Sequence, residues 1–269
     1  MNPKRSDEMI NLNTFSTSIT FLCLVILLFM TSHSFALEIS PLTLELKSDS
    51  RPQYQQIFVR NPSNKTVPVE INLNQIVFDP ASTGNSFSLL AVENDSELLV
   101  FPPALVLEPG EVKSVRVQWI GTHAVKQSVS YFVRFSQPSL SLPMSEENSQ
   151  ENTQSGVKVF VHFNAVVHLS ANDLLADLTV VEGSIEFNEQ EHKLAFDVKN
   201  NGQRYSYLKP YHLAVVSSDG STTPLLNEAA FSQLGDIFFP PQMIKKVSIP
   251  YEKLWVQGTK LKINNSQRD

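Results

Sequence analysis

The chain has 269 residues, 42% of them hydrophobic and 18% charged, the proportions of a globular rather than a disordered protein. Its formal charge of −6 lacks the basic excess that nucleic-acid binding requires. A lone cysteine, Cys23, excludes zinc ribbons, iron–sulfur clusters and disulfide scaffolds.

Residues 1–36 have the form of a secretory signal. Lys4 and Arg5 open it, and an apolar run of 12 residues follows at Ile19–Met30, short of the about 20 needed to span a bilayer. Ser34 and Ala36 put small residues where a signal peptidase needs them, so cleavage is expected after Ala36. Cleavage removes Cys23 and delivers a thiol-free chain to an oxidising compartment, where it must rely on a packed core.

From Leu37 onward the pattern alternates with period two. Leu37, Ile39, Leu42, Leu44 and Leu46 predict a first strand. Further strands are predicted at Ile57–Val59, Val67–Leu73, Leu98–Phe101, Val112–Ile120, Ser130–Phe135 and Val157–Leu169. Asn61-Pro62, Asp79-Pro80, Pro102-Pro103 and Pro109-Gly110 punctuate them. Residues 140–156 are polar and acidic and read as a solvated loop. A break at 170–177 is followed by strands at Leu178–Val181, Ser184–Phe187, Lys193–Val198, His212–Val216, Lys246–Ile249 and Lys260–Ile263. No amphipathic helical stretch longer than about two turns interrupts this. The expectation is an all-β chain of two β-sandwich domains, 37–169 and 178–269, with 170–177 as a hinge.

The segment Val157–Leu169 is long for a strand. Val157, Val159, Val161, Phe163, Ala165 and Val167 share one face, and Lys158, Phe160, His162, Asn164, Val166 and His168 the other. Apolar residues on both faces fit a central core strand. They also fit an edge strand whose apolar row and backbone are covered by a partner. No residues at the spacing of a metal site, a nucleophile elbow or a phosphate loop are found, so neither enzyme activity, a cofactor, a metal nor a small-molecule substrate is expected.

Four stretches resemble the PapD-like chaperones of pilus assembly: Leu37–Leu46, Leu98–Trp119 (LLVFPPALVLEPGEVKSVRVQW), Ser130–Phe135 and Val157–Leu169. Leu98–Trp119 is the most specific, and the second domain matches only loosely, through Asn201-Gly202 and Phe238–Pro241. The resemblance implies two immunoglobulin-like domains at an angle, as a boomerang, in the periplasm. It implies binding of pilus (fimbrial) subunits by donor-strand complementation and their delivery to an outer-membrane usher. Val157, Val159, Val161 and Phe163 would then be the donor row. Most members hold the subunit's terminal carboxylate with a basic pair; the matching positions here are Thr43 and Val166, neither basic. That departure is closer to the divergent, archaic branch. Arg116, Arg134, Lys158 and His162 are the remaining candidates for the anchor, with Arg favoured for its two-pronged donor geometry. A reading of another class is a secreted structural or adhesive β-sandwich that is itself part of a surface assembly.

Overall fold

The computed structural model describes residues 37–51, 54–82, 86–92, 96–137, 161–188, 190–209, 211–217, 219–224, 237–250 and 260–265. Residues 1–36, the whole of the polar segment 140–156 and Val157–Phe160 lie outside them.

The first sandwich is built from β1 (Glu38–Ser40), β2 (Thr43–Lys47), β3 (Tyr54–Arg60), β4 (Val67–Phe78), β5 (Phe87–Ala91), β6 (Leu98–Phe101), β7 (Ala104–Leu107), β8 (Val112–Trp119), β9 (Val129–Ser136) and β10 (His162–Ser170). One sheet has the order β1-β3-β8-β6, the other β2-β10-β9-β4-β5, with β7 also paired to β4. Between them the alternating residues form one core, from Leu37 to Leu169, with Ile57, Val115, Val117, Val133 and Phe135 fully buried. Trp119 packs into this core as its position in the alternation predicts.

The expected continuous first strand is two strands in different sheets. Ile39 and Leu42 are three residues apart, so the period of two is broken between them and the inward face changes. Pro41 has no N–H to give a ladder at that point. β1 accordingly pairs antiparallel with β3, while β2 pairs parallel with β10. Pro102-Pro103 and Pro109-Gly110 separate β6, β7 and β8 as their chemistry requires, and Gly110 takes a φ of 75° that suits glycine.

The second sandwich contains β11 (Leu178–Val180), β12 (Glu186–Asn188), β13 (Lys193–Asn200), β14 (Ser206–Tyr207), β15 (Tyr211–Val216), β16 (Thr222–Pro224), β17 (Phe238–Phe239), β18 (Ile244–Pro250) and β19 (Lys260–Asn265). β13 lies between β18 on one side and β11 and β12 on the other, and β15 lies between β16 and β19. Its separate core gathers Leu194, Phe196, Val198, Leu208, Phe239, Val247 and Ile249. The six strands read from the sequence in this half match β11, β12, β13, β15, β18 and β19 to within about two residues at each end, while β14, β16 and β17 were not read as strands.

Residues 171–177 between the two cores are tied on both sides. The Asn172 N–H donates to Asp49 Oδ2 at 2.9 Å, and the Asn172 amide to Ser50 Oγ at 2.9 Å. Leu175 C=O accepts from the Arg204 N–H at 3.0 Å, and Asp177 C=O from the Asn201 N–H at 2.7 Å. Gly202 is required here, because a Cβ at that position would lie 2.2 Å from Leu175 C=O.

Each sandwich fixes a turn with a buried asparagine. Asn61 Nδ2 donates to the carbonyls of Lys65, Leu107 and Glu108, and its Oδ1 accepts from Ser63. Asn200 Nδ2 does the same for Arg204, Phe239 and Pro240, and its Oδ1 accepts from Asp177 and Gly202. Replacing Asn61 with Leu strands those carbonyls, each costing about 1–3 kcal/mol where it is buried. Urea unfolding should show a loss of at least about 2 kcal/mol for Asn61→Leu, and a similar loss for Asn200→Leu by the same cause.

Candidate functional site: an open strand edge

The switch of the first strand at Pro41 determines what borders β10. β2 covers β10 only from Val166 to Ser170, where Thr43 faces Val166 and Lys47 faces Ser170. The last bond at this border runs from the Val166 N–H to Leu42 C=O at 2.8 Å. β9 pairs with β10 from His162 opposite Ser136 to Leu169 opposite Val129. Among the described residues, His162–Ala165 therefore have β9 as their one ladder partner and an open edge on the other side. Because backbone groups alternate in direction along a strand, the Val166 bond places the N–H and C=O of Asn164 and His162 on that open edge.

The apolar row of β10 leaves the core at the same place. Ala165, Val167 and Leu169 are fully buried, Phe163 is half-buried against the core, and Val161, just before the strand, is 44% exposed. The row thus belongs to this sandwich's own core at one end and reaches solvent at the other. Leu42, where β2 begins, is 57% exposed beside it. Val157, Val159 and Lys158 lie outside the described residues. The sequence pattern had merged Leu42 into one strand with Leu37 and Ile39; the broken spacing was the signal for its different position.

Thr43 and Val166 are direct register partners, so the two positions aligned with the basic pair do meet. The structure separates the two arginines. Arg116 is on β8, in the other sheet, with its guanidinium 4.1 Å from the centre of the Tyr54 ring. Arg134 is on β9 and in the same sheet as β10. It faces Asn164 on one side and Asn72 on the other, and its Nε donates to Asn164 Oδ1 at 3.2 Å. Alternation puts Arg134, Asn72, Asn164 and Val166 on the outer face of this sheet. Among the described residues no carboxylate forms an ion pair with Arg134. His162 contacts Ser136 Oγ through Nδ1 at 2.8 Å.

Further along the same face, the second sandwich packs on the first. His168 is 2% exposed there. Its Nδ1 shares a hydrogen bond with Ser130 Oγ at 2.8 Å and its Nε2 another with Tyr207 Oη at 2.9 Å. The ring stacks on Tyr205 and Phe238 with centroids 4.1 and 5.1 Å away, and Phe238 also meets Phe78 of β4 at 5.4 Å. Alternation put His168 on the polar face, but its burial depends on aromatics remote in sequence. Burial holds the imidazole down, to about 4, although the Glu45 carboxylate draws it up. Burial and Glu45 raise the Tyr205 phenol.

Glu45 closes the junction electrostatically. It accepts from Arg204 at 2.5 Å and Lys47 at 2.6 Å, and Lys47 also donates to Ser170 Oγ at 2.9 Å. Partial burial pushes the Glu45 carboxyl up, but the hydrogen bond from Lys47 and the charges of Arg204 and Lys47 outweigh it and leave it below the ordinary range.

No family profile and no curated protein matches the sequence. Solved structures do. A chain of the chaperone–tip adhesin complex of CFA/I fimbriae biogenesis matches with a TM-score of 0.52 and 13% identity over 85% of this chain and 98% of the other. The class 5 fimbriae chaperone CfaA matches with a TM-score of 0.50 and 14% identity over 85% and 99%. The fold is therefore the all-β, two-sandwich fold of fimbrial chaperones.

The Glu45 side chain is 38% exposed, so its pairs are partly screened. Glu45→Gln should cost under about 1 kcal/mol at neutral pH. A carboxyl depressed in the folded state contributes stability above its unfolded value, near 4.5, and loses it as pH falls through the folded value. The difference between wild type and Glu45→Gln in urea unfolding should therefore vanish in strong acid.

Proposed function

We propose that the protein is a periplasmic chaperone that caps fimbrial subunits by donor-strand complementation and passes them to an outer-membrane usher. The observation that carries this reading is the open edge of β10 at His162–Ala165, beside an apolar row emerging at Phe163, Val161 and Leu42. A subunit lacking one strand of its sandwich has the complementary defect, an apolar groove with an unpaired edge. Lending β10 satisfies both. The backbone groups of His162 and Asn164 pair with the subunit, while Val161 and Phe163, continued by Val159 and Val157, fill the groove. Each such side chain fully buried contributes about 1.5–3 kcal/mol.

In this reading residues 1–36 are the signal for export to the periplasm, with cleavage after Ala36. Residues 37–169 form the chaperone domain, 170–177 the hinge and 178–269 the second domain. Arg134 is the anchor for the subunit's terminal carboxylate. Its support is its place on the sheet of β10, two residues along β9 from the partner of Val166, with only neutral amides as its register neighbours. A guanidinium so placed can offer a carboxylate two parallel N–H donors. Lys158 is the second candidate, and Arg116, on the other sheet over Tyr54, the third.

Co-expression with a fimbrial subunit and co-purification tests the reading. A one-to-one complex is expected. Val161→Asp should keep the wild-type unfolding midpoint and lose the subunit, since Val161 is outside this domain's core. Arg134→Ala should weaken the complex by about tenfold or more, the loss of one charge-assisted contact worth about 1.5–3 kcal/mol. A Val161→Asp protein that binds as wild type does contradicts the edge. A ladder of self-polymers without subunit points instead to a structural component of the fibre.

A further inference from the structure

We propose that His168 is an acid-sensitive latch between the two sandwiches: protonating its ring loosens the seat of Tyr205, Tyr207 and Phe238 on the outer face of the first sandwich. The inference is independent of what the edge of β10 binds.

The geometry makes the neutral ring the favoured form in the closed junction. One imidazole nitrogen must accept, and its hydroxyl partner, Ser130 or Tyr207, donates to it. After protonation both nitrogens donate, and the hydroxyl that had donated loses that acceptor in a site where Ser130 is also buried. The new charge would sit at a position 2% exposed, stacked on Tyr205 and Phe238. It is costly there unless paired.

The charged and titratable groups around the ring do not remove that cost. From β2, Glu45 faces His168 in register and attracts the proton, but Arg204 and Lys47 already hold this carboxylate. From the second sandwich come Arg204 itself, the phenols of Tyr205 and Tyr207, and Lys245, which donates to Phe238 C=O at 3.3 Å. β9 supplies the neutral Ser130 and β4 the neutral Phe78 next to Phe238. Among the described residues, the charged partners from the second sandwich are thus cations, and the one anion is shared.

Opening the junction returns the ring to water and to its ordinary value of 6.5, against about 4 when closed. The open form therefore takes up a proton that the closed form refuses. The closed form keeps its full advantage above pH 6.5 and loses it progressively toward 4. At pH 5 the shift in the opening equilibrium is about thirtyfold.

Backbone amides that donate across the junction report its opening: the Ser128 N–H to Gln203 C=O at 2.9 Å, and the Tyr205 N–H to Ser128 Oγ at 2.7 Å. Amide-exchange protection factors, corrected for intrinsic rates, are measured by nuclear magnetic resonance on the purified protein at pH 7.5 and 5. Ser128 and Tyr205 should lose about thirtyfold in protection at pH 5, while core amides such as Val133 and Phe196 hold theirs. In His168→Phe, which keeps an aromatic ring without a titrating nitrogen, the loss should disappear. Unchanged protection in the wild type, an equal loss in His168→Phe, or an equal loss at core amides overturns the proposal. Should His168→Phe fail to fold, the imidazole C–H resonances of the wild type decide: a midpoint well below 6.5 supports the latch, and one at 6.5 overturns it.

Discussion

A β-strand can satisfy its backbone on both sides only where it has a neighbour on both sides, and β10 has that for half its described length. The cause is local and chemical. Pro41 cannot donate, and the alternation of the first strand slips by one between Ile39 and Leu42. The chain therefore spends β1 on one sheet and β2 on the other, and β2 borders β10 only from Val166 to Ser170. Above that point a row of N–H and C=O groups and an emerging apolar row lie side by side. Natural proteins usually protect such an edge, because it templates pairing with another chain. Left open beside Val161 and Leu42, it is suited to a partner strand.

The outer face of the same sheet has two distinct zones. Near the open edge, Arg134 projects between Asn72 and Asn164, a positive charge among neutral amides. Further along, His168, Ser130 and Phe78 are covered by Tyr205, Tyr207 and Phe238 of the second sandwich. Fixing the second sandwich here takes backbone bonds at 171–177, the close approach of Gly202, the Glu45–Arg204–Lys47 cluster and the aromatic seat together. The connection is short and bonded on both sides, so the orientation of the sandwiches rests on particular contacts rather than on the connector alone.

Much of this was legible in the alternation of the sequence. Six strands of the second sandwich, the Pro102-Pro103 and Pro109-Gly110 breaks and the buried face of β10 follow from side-chain parity and turn chemistry. The sheet exchange of β1 and β2 was present as an irregular spacing but read as one strand, because each half alone is too short to announce itself. β5, β7, β14, β16 and β17 were missed for the same reason, since none is longer than five residues. The position of Thr43 opposite Val166 followed from the resemblance, while the segregation of Arg116 and Arg134 onto different sheets needed the topology. Burial of His168 had no local signal at all, since its cover comes from Tyr205, Tyr207 and Phe238, joined to it only by the packing of the second sandwich.

Binding of a subunit strand at the open edge of β10 is tested most directly by amide exchange at His162 and Asn164, in the free protein and in its complex with a fimbrial subunit. Both amides should exchange readily in the free protein and become strongly protected in the complex, while Val166, already bonded to Leu42, changes little. A stable complex in which the His162 and Asn164 amides stay as exposed as before would contradict the account and move the binding surface elsewhere on the protein.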